Sequence, residues 1–351
     1  MRPCAPAPRL APPAGLEAGR AAGFLQQEGH HPEVRVRAAA VRIQSHVVRT
    51  PLLESPHLNA IVGGRLLVKA EPLQRTGSFK FRGAFNTLSQ LSEAERAKGV
   101  LAYSSGNHAQ GVAAAAEILG IKATILMPED APKVKVENTK SHGASVVHFN
   151  RYTESREEIG KKMAFESGTA LVKPYDDVRV IAGQGTIGLE IAEQLHELEV
   201  SPDAVLAPCG GGGLISGLSL AIKAEFQDAQ IYSAEPEHYD DTAQSLAAQR
   251  IIAVVSKHKT ICDAIMTPEP GELTFSIIRN LVSGGLVVSD KETRNAMCHA
   301  FNRLKLVVEP GGCVALAALL SHKIDVKGKI VVAVCSGGNV DSALYAEILA
   351  G

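Results

Sequence analysis

The stretch VLAYSSGNHAQGVAAAAEILG, residues 100–120, holds three things in order: a short apolar run, a polar turn with a glycine, and an amphipathic helical pattern. The same unit returns along the chain. KATILMP leads into APKVKVENTKSHG, and SVVHF leads into ESREEIGKKMAFESG. Further on, DAVLAP passes through CGGGG into LISGLSLAIKAEF. AQIYSAEP opens another helical stretch, and KIVVAVC passes through SGGN into VDSALYAEILAG. Continuous Val/Ile/Leu strands alternating with helices predict an α/β fold whose parallel strands are covered on both faces. Such folds bind ligands at the carboxyl ends of their strands. Each glycine-rich turn named here follows a strand and opens a helix, so the chemistry is expected there.

Bulk properties exclude several classes. At 351 residues the chain exceeds one small core, and 45% hydrophobic with 21% charged residues is ordinary for a globular protein. A formal net charge of −1 gives no field for nucleic acid or an anionic membrane. Few aromatics and no tryptophan argue against base-stacking platforms, and no apolar run reaches a membrane span. The six cysteines, Cys4, Cys209, Cys262, Cys298, Cys313 and Cys335, form no CxxC pair or zinc-like cluster. They read as reduced thiols of a cytoplasmic protein. Residues 1–31, rich in Pro, Ala, Gly and Arg, read as a disordered tail. An organellar transit peptide is the alternative, against which the proline density counts.

Upstream of the repeating units stands QRTGSFKFRGA, residues 74–84. Lys80 follows a Thr-Gly-Ser turn signal and precedes the helical pattern Phe81, Ala84, Phe85, Leu88, which places it in the first turn of a helix. The peptide dipole disfavours a cation there.

The glycine turns differ in weight. GQGTIG, Gly183 to Gly188, matches GxGxxG, but no clean strand precedes it and no acidic residue ends a following strand to hold a ribose. Its glycines read as close helix packing. CGGGGLISG carries four consecutive glycines, Gly210, Gly211, Gly212 and Gly213, each costing of order 1 kcal/mol in a regular element. After a strand and before a helix, such N–H groups converge on an anion. Without a Lys-Ser or Lys-Thr this is no nucleoside triphosphate loop, and a small phosphate group fits, with a merely tight turn as the alternative. SSGNH, Ser104 to His108, is a strand-end loop with two hydroxyls, an amide and an imidazole. Alone it also reads as a helix cap.

SFKFRGA, SSGNHAQG, VIAGQGTIGLEI, PCGGGGLISG, AEP and SGGNVD, in this order and approximate spacing, resemble the fold-type II pyridoxal phosphate enzymes, and within them the threonine/serine dehydratase and serine racemase group. The similarity runs from about VVRTPLLES to the C-terminus. It implies the tryptophan synthase beta-like fold, with two open parallel-sheet α/β domains and the cofactor between them. Residues 32–99 and 178–351 would form the large domain and 100–177 the small one. It also implies a homodimer or higher homo-oligomer. The sequence ends about one helix after SGGNVD, so the regulatory domain of biosynthetic threonine dehydratases, and feedback inhibition by isoleucine, are not expected.

The resemblance implies roles residue by residue. Lys80 corresponds to the lysine that joins the cofactor. That bond needs a neutral amine, whereas free lysine titrates near about 10.4, so burial and a positive helix end must depress it. Phe79 corresponds to the residue packed on the pyridine ring, Asn107 to the partner of the ring hydroxyl, and Ser336 to the partner of the ring nitrogen. Gly210, Gly211, Gly212 and Gly213, closed by Leu214, correspond to the phosphate cradle. Ser104, Asn107 and His108 correspond to the grip on the substrate carboxylate. Ser105 corresponds to the serine that exchanges a proton opposite the lysine in racemases, though dehydratases carry it too. EPEHYDD resembles the group's divalent-cation site, with carboxylates from Glu235 and Asp241 and a carbonyl from Tyr239, suited to magnesium or calcium. Solvated acids at a helix start are the alternative. Where relatives have Ala-Asp-Gly, this chain reads Cys262, Asp263, Ala264, which leaves side-chain specificity open. The implied activity is dehydration of a β-hydroxy amino acid such as L-threonine or L-serine to a 2-oxo acid and ammonia. The alternatives are a serine-racemase-type activity, dehydration of 3-hydroxyaspartate, phenylserine or a hydroxyectoine-pathway substrate, and a pyridoxal phosphate-binding sensor or carrier.

Overall fold

The computed structural model describes residues 32–351 except Ser105, Pro132, Arg151 and Tyr152, so the expected N-terminal tail and Cys4 lie outside the described residues. Among the described residues, ten strands build two sheets: β1 (Leu52–Glu54), β2 (Arg65–Ala70), β3 (Val100–Tyr103), β4 (Ala123–Pro128), β5 (Ser145–Phe149), β6 (Ala170–Leu171), β7 (Ala204–Pro208), β8 (Gln230–Pro236), β9 (Gly284–Val288) and β10 (Ile330–Cys335). One sheet runs β1-β2-β10-β7-β8-β9 and the other β5-β4-β3-β6. Pairing is parallel throughout except for β1, which runs antiparallel to β2.

The strands match the apolar runs of the alternation, with four additions that the runs did not reveal, among them the two-residue β6. β1 is only three residues long, and β9 opens on two glycines. β2 carries Lys69 in its middle, fully buried. That lysine is tolerated because its Nζ donates to Glu190 Oε2 at 2.7 Å, Gln194 Oε1 at 3.0 Å and Thr50 O at 2.7 Å.

Two apolar clusters flank the six-stranded sheet. The Pro310–Leu320 helix, buried at every position, fills one. The Val178–Glu197 and Gly213–Glu225 helices fill the other. A third cluster backs the four-stranded sheet, and it takes in Phe81, Ala84, Phe85 and Leu88 of the Lys80–Leu88 helix. The start of that same helix is tied to the six-stranded sheet: Phe79 N donates to Ser336 O at 3.1 Å, and Ser78 bridges Gly337. Lys80 therefore stands on the seam between the two sheets.

A buried ion cluster fixes the helix in that position. Arg82, wholly buried, donates to Glu71 (2.8 and 2.9 Å) and to Glu190 (2.6 and 2.9 Å). Removing one partner of such a group strands a buried charge, at a cost of about 3–5 kcal/mol.

The GQGTIG segment lies inside the Val178–Glu197 helix rather than at its start. The start is Asp177, whose side chain accepts from Arg179 N. A Cβ on Gly183 would sit 2.6 Å from Gly83 Cα, and one on Gly188 would sit 2.9 Å from Leu218 O. The glycines let three helices touch by their backbones, as the packing reading expected.

Candidate active site

Four strand ends open on one cavity, whose non-atom space, including its mouth, is about 1140 Å³. The turn after β3 supplies Ser104, Gly106, Asn107 and His108. The turn after β7 supplies Gly210, Gly211, Gly212 and Gly213, with Leu214. The end of β10 supplies Ser336, and the helix following β4 supplies Lys135. Phe79 and Lys80 line the same space. Among the expected site residues, only Ser105 and the acidic loop after β8 are not placed there: Ser105 lies outside the described residues, and the acidic loop forms a separate site.

Lys80 Nζ donates to Pro174 O at 2.9 Å and lies 5.1 Å from the centroid of the Phe79 ring. Burial lowers its pKa to about 8, opposed by the Glu309 carboxylate. A substantial neutral fraction at physiological pH makes this amine a nucleophile or base, unlike a surface lysine. Gly111 of the Asn107–Leu119 helix allows the approach: a Cβ there would lie 3.1 Å from Lys80 C.

Glu309 is a cavity-lining residue that the sequence reading missed. It is buried beside the cavity, and burial raises its pKa to about 7. It accepts from Asn107 Nδ2 at 2.5 Å, while Asn107 Oδ1 accepts from Asn339 Nδ2 at 2.8 Å, so the amide is held in one orientation. The available signal was a lone acid directly before an all-apolar helix, PGGCVALAALL.

The β3 turn behaves differently from a side-chain cap. Gly106 is the N-cap without a side-chain bond, Asn107 opens the helix, and Ser104 Oγ accepts from Gly106 N at 3.1 Å. His108 is buried, and burial together with the nearby Lys80 lowers its pKa to about 3. Its neutral ring donates from Nε2 to Val172 O at 3.0 Å. The ring brings no positive charge to a carboxylate, and what the turn offers an anion is hydroxyl and main-chain N–H.

The glycine turn after β7 has the features of an anion cradle. The Gly213–Glu225 helix starts there, and the first-turn N–H groups of Gly213, Leu214 and Ile215 have no carbonyl within their own helix. Gly212 has φ +90°, and a Cβ on Gly211 would run into the Tyr175 ring. Thr267 Oγ1 is buried without a partner, and a Cβ on Gly210 would sit 3.2 Å from it. An orphaned hydroxyl beside free helix N–H groups fits a phosphate. With Lys80 and the Ser336 hydroxyl lining the same cavity, these residues fit pyridoxal phosphate.

A family model described as pyridoxal-phosphate dependent enzyme matches residues 43–337. The chain belongs to this family. It is 46% identical over 313 residues to the L-threo-3-hydroxyaspartate ammonia-lyase of Saccharomyces cerevisiae, covering 89% of this chain and 94% of that one. It is 42% identical to the serine racemase of Schizosaccharomyces pombe, covering 90% and 96%. Among solved structures, maize serine racemase superposes with a TM-score of 0.84 at 39% identity, covering 90% and 95%. These three relatives of this pyridoxal phosphate enzyme are an ammonia-lyase and two serine racemases.

The acidic loop after β8 is the second buried polar site of this enzyme. Glu235 and Asp241 are both fully buried, which removes the reading of solvated acids. Glu235 accepts from Thr242 N at 2.9 Å and Ala243 N at 2.8 Å, capping the Asp241–Ala248 helix. Both Asp241 carboxylate oxygens are buried without a partner. Burial, then the neighbouring carboxylate, pushes Glu235 well above the usual range, and burial takes Asp241 up to about 7. Tyr239 Oη donates to His258 O at 2.8 Å. No group of three His, Cys, Asp or Glu side chains suited to a metal occurs among the described residues, and no helix there is long and apolar enough to cross a membrane.

Proposed function

We propose that the chain is an ammonia-lyase converting a β-hydroxy amino acid to a 2-oxo acid and ammonia. Lys80 carries this reading: its amine, held near pKa 8, faces one cavity together with a glycine-rich helix start and an orphaned threonine hydroxyl. Bound there, pyridoxal phosphate supplies an electron sink that acidifies the Cα–H of an amino acid joined to it. Phe79 would pack on the ring. The N–H groups of Gly213, Leu214 and Ile215, with Thr267 Oγ1, would hold the phosphate. Asn107 has one amide proton on Glu309 and a second for the ring hydroxyl. Ser336 gives the ring nitrogen a neutral partner, which cannot hold it protonated as a carboxylate would, and so favours elimination over transamination. Ser104 and the turn at Asn107 and His108 receive the substrate carboxylate.

With the cofactor bound, neutral Lys80 Nζ would take the α-proton and, as an ammonium, would return it to the β-hydroxyl, which leaves as water. The dehydrated product would add water to give the 2-oxo acid and ammonia. The test is 2-oxo acid formation by the holoenzyme from L-threonine, L-serine, L-threo-3-hydroxyaspartate and phenylserine. Turnover of at least one is expected, with a loss of about 10³-fold in Lys80→Ala. Failure with all four contradicts the reading. The similarity to a serine racemase supports a second activity, for which the family resemblance makes Ser105 the proton-exchanging group. Ser105→Ala would then abolish D-serine formation from L-serine and keep part of the dehydration. Equal loss of both makes Ser105 structural.

The orphaned Asp241 oxygens support a divalent cation held by Asp241, Glu235 and the Tyr239 carbonyl, with water completing the shell. Hard oxygen donors suit magnesium or calcium.

A further inference from the structure

Residues 174–177, between β6 and the Val178–Glu197 helix, each fix a different partner. Pro174 O accepts from Lys80 Nζ at 2.9 Å, and the Tyr175 ring lies against Gly211. Asp177 caps the helix that follows it. Asp176 is not in the cavity wall, and the lyase chemistry gives it no part. Its Oδ1 accepts from Leu273 N at 2.8 Å and Thr274 N at 3.3 Å, in the first turn of the Glu272–Leu281 helix, 97 residues further along the chain.

Two features show that the fold makes room for this cap. Asp176 has φ +48°, in the left-handed region that few residues other than glycine adopt. The helix has Gly271 at its own N-cap position, where a Cβ would collide with the Asp176 carboxylate. A carboxylate from elsewhere in the chain thus takes the place of a local capping side chain.

The capped turn holds the glycine turn after β7. Thr274, wholly buried, donates from Oγ1 to Gly211 O at 2.7 Å, and Gly271 N donates to the same oxygen at 3.3 Å. Neither donor lines the cavity, so this carbonyl is held by groups outside the cavity wall. Swung the other way, its oxygen would set a negative dipole end against the anion that the free helix N–H groups attract. Four consecutive glycines cannot fix such an orientation by themselves, because their backbone is permissive.

We propose that Asp176 is a positioning residue for the cofactor phosphate. It orders the first turn of the Glu272–Leu281 helix, and Thr274 passes that order to the Gly211 carbonyl, which keeps the glycine turn ready for the anion. This rests on the placement of the phosphate at that turn. Asp176 touches neither cofactor nor substrate. Without the cap the turn visits conformers that do not receive a phosphate, and apparent affinity falls with the competent fraction.

The experiment compares two aldehydes on the full-length apoprotein: pyridoxal phosphate, and 5′-deoxypyridoxal, which lacks the phosphate and can still react with Lys80. Affinities are read from the visible band. Asp176→Gly suits the left-handed backbone and removes only the carboxylate. We expect it to weaken pyridoxal phosphate about tenfold, the scale of one lost helix cap, and to leave 5′-deoxypyridoxal within about twofold. Asp176→Asn, whose amide oxygen still accepts, should recover most of that loss. Thr274→Val should reproduce the phosphate-specific loss, and carries the same test should Asp176→Gly fail to fold. The double variant should lose little more than either single one, since the two residues act in series. Losses shared equally by both aldehydes, additive losses in the double variant, or unchanged pyridoxal phosphate affinity in both single variants overturn the proposal. A wild-type protein that binds the two aldehydes equally well would overturn the phosphate placement itself, and the proposal with it.

Discussion

β7 and β8 are neighbours in one sheet, and their carboxyl ends do opposite electrostatic work. β7 ends in glycines whose helix presents unpaired N–H groups, and Thr267 adds an unpaired hydroxyl. β8 ends in two buried carboxylates, and no other residue donates to the Asp241 oxygens. We propose an anion at one end and a cation at the other. A weak contact joins them, Cys209 Sγ to Thr242 Oγ1 at 3.3 Å. Position at a strand end thus marks a site, but the unpaired groups left there decide the sign of its ligand.

Gly212→Ala breaks the β7 end with the largest effect. The position has φ +90°, and a Cβ would lie 2.9 Å from Thr274 Cβ. We expect a loss of about 1–3 kcal/mol in stability and at least a hundredfold in cofactor affinity, read by urea unfolding and by titrating the visible cofactor band. The cation response should survive. If cofactor affinity holds, these glycines form only a turn.

Asp241→Asn breaks the β8 end more mildly. Calcium or magnesium at ten times its Kd should stabilise the wild-type protein by about 1.4 kcal/mol by mass action, and chelator should reverse it. The variant should show no such shift in Tm yet keep its cofactor band. A cation-free wild type indifferent to both metals would make Glu235 a helix cap and nothing more.

Glu309→Gln has the smallest expected effect and sharpens the view of the cavity floor. Glu309 raises the Lys80 pKa by its charge, and its own pKa of about 7 leaves it ionised above that pH. Removing the charge leaves the Lys80 ammonium less supported, so its pKa moves below about 8. The pH midpoint for capture of pyridoxal phosphate by the apoprotein should fall accordingly. A rise in the midpoint would contradict the assigned interaction.

The alternation of strand and helix was legible because β3, β4, β7 and β10 are almost wholly apolar runs. β2 was hidden by Lys69, whose neutralising partners come from a helix 121 residues away in sequence. The strand-end turns announced themselves by glycine, serine and asparagine after an apolar run. Glu309, Lys135 and Thr267 carried no comparable local mark. Each is a single polar residue in ordinary company, and only the convergence of the two sheets brings it to the cavity. The GxGxxG segment shows the reverse case: a marked pattern whose glycines serve helix contact alone.

The placement of the cofactor on Lys80 can be measured on the apoprotein itself. Pyridoxal phosphate is added across a series of pH values, borohydride fixes the bond, and peptide mass spectrometry finds the pyridoxyl group. Only the neutral amine reacts, so capture rises with pH. The label should fall on Lys80, with a midpoint near pH 8 rather than the ordinary 10.5, while surface lysines lag behind as internal controls. Label spread over surface lysines with Lys80 bare, or a Lys80 midpoint near 10.5, would contradict the burial-activated amine on which the proposed chemistry stands.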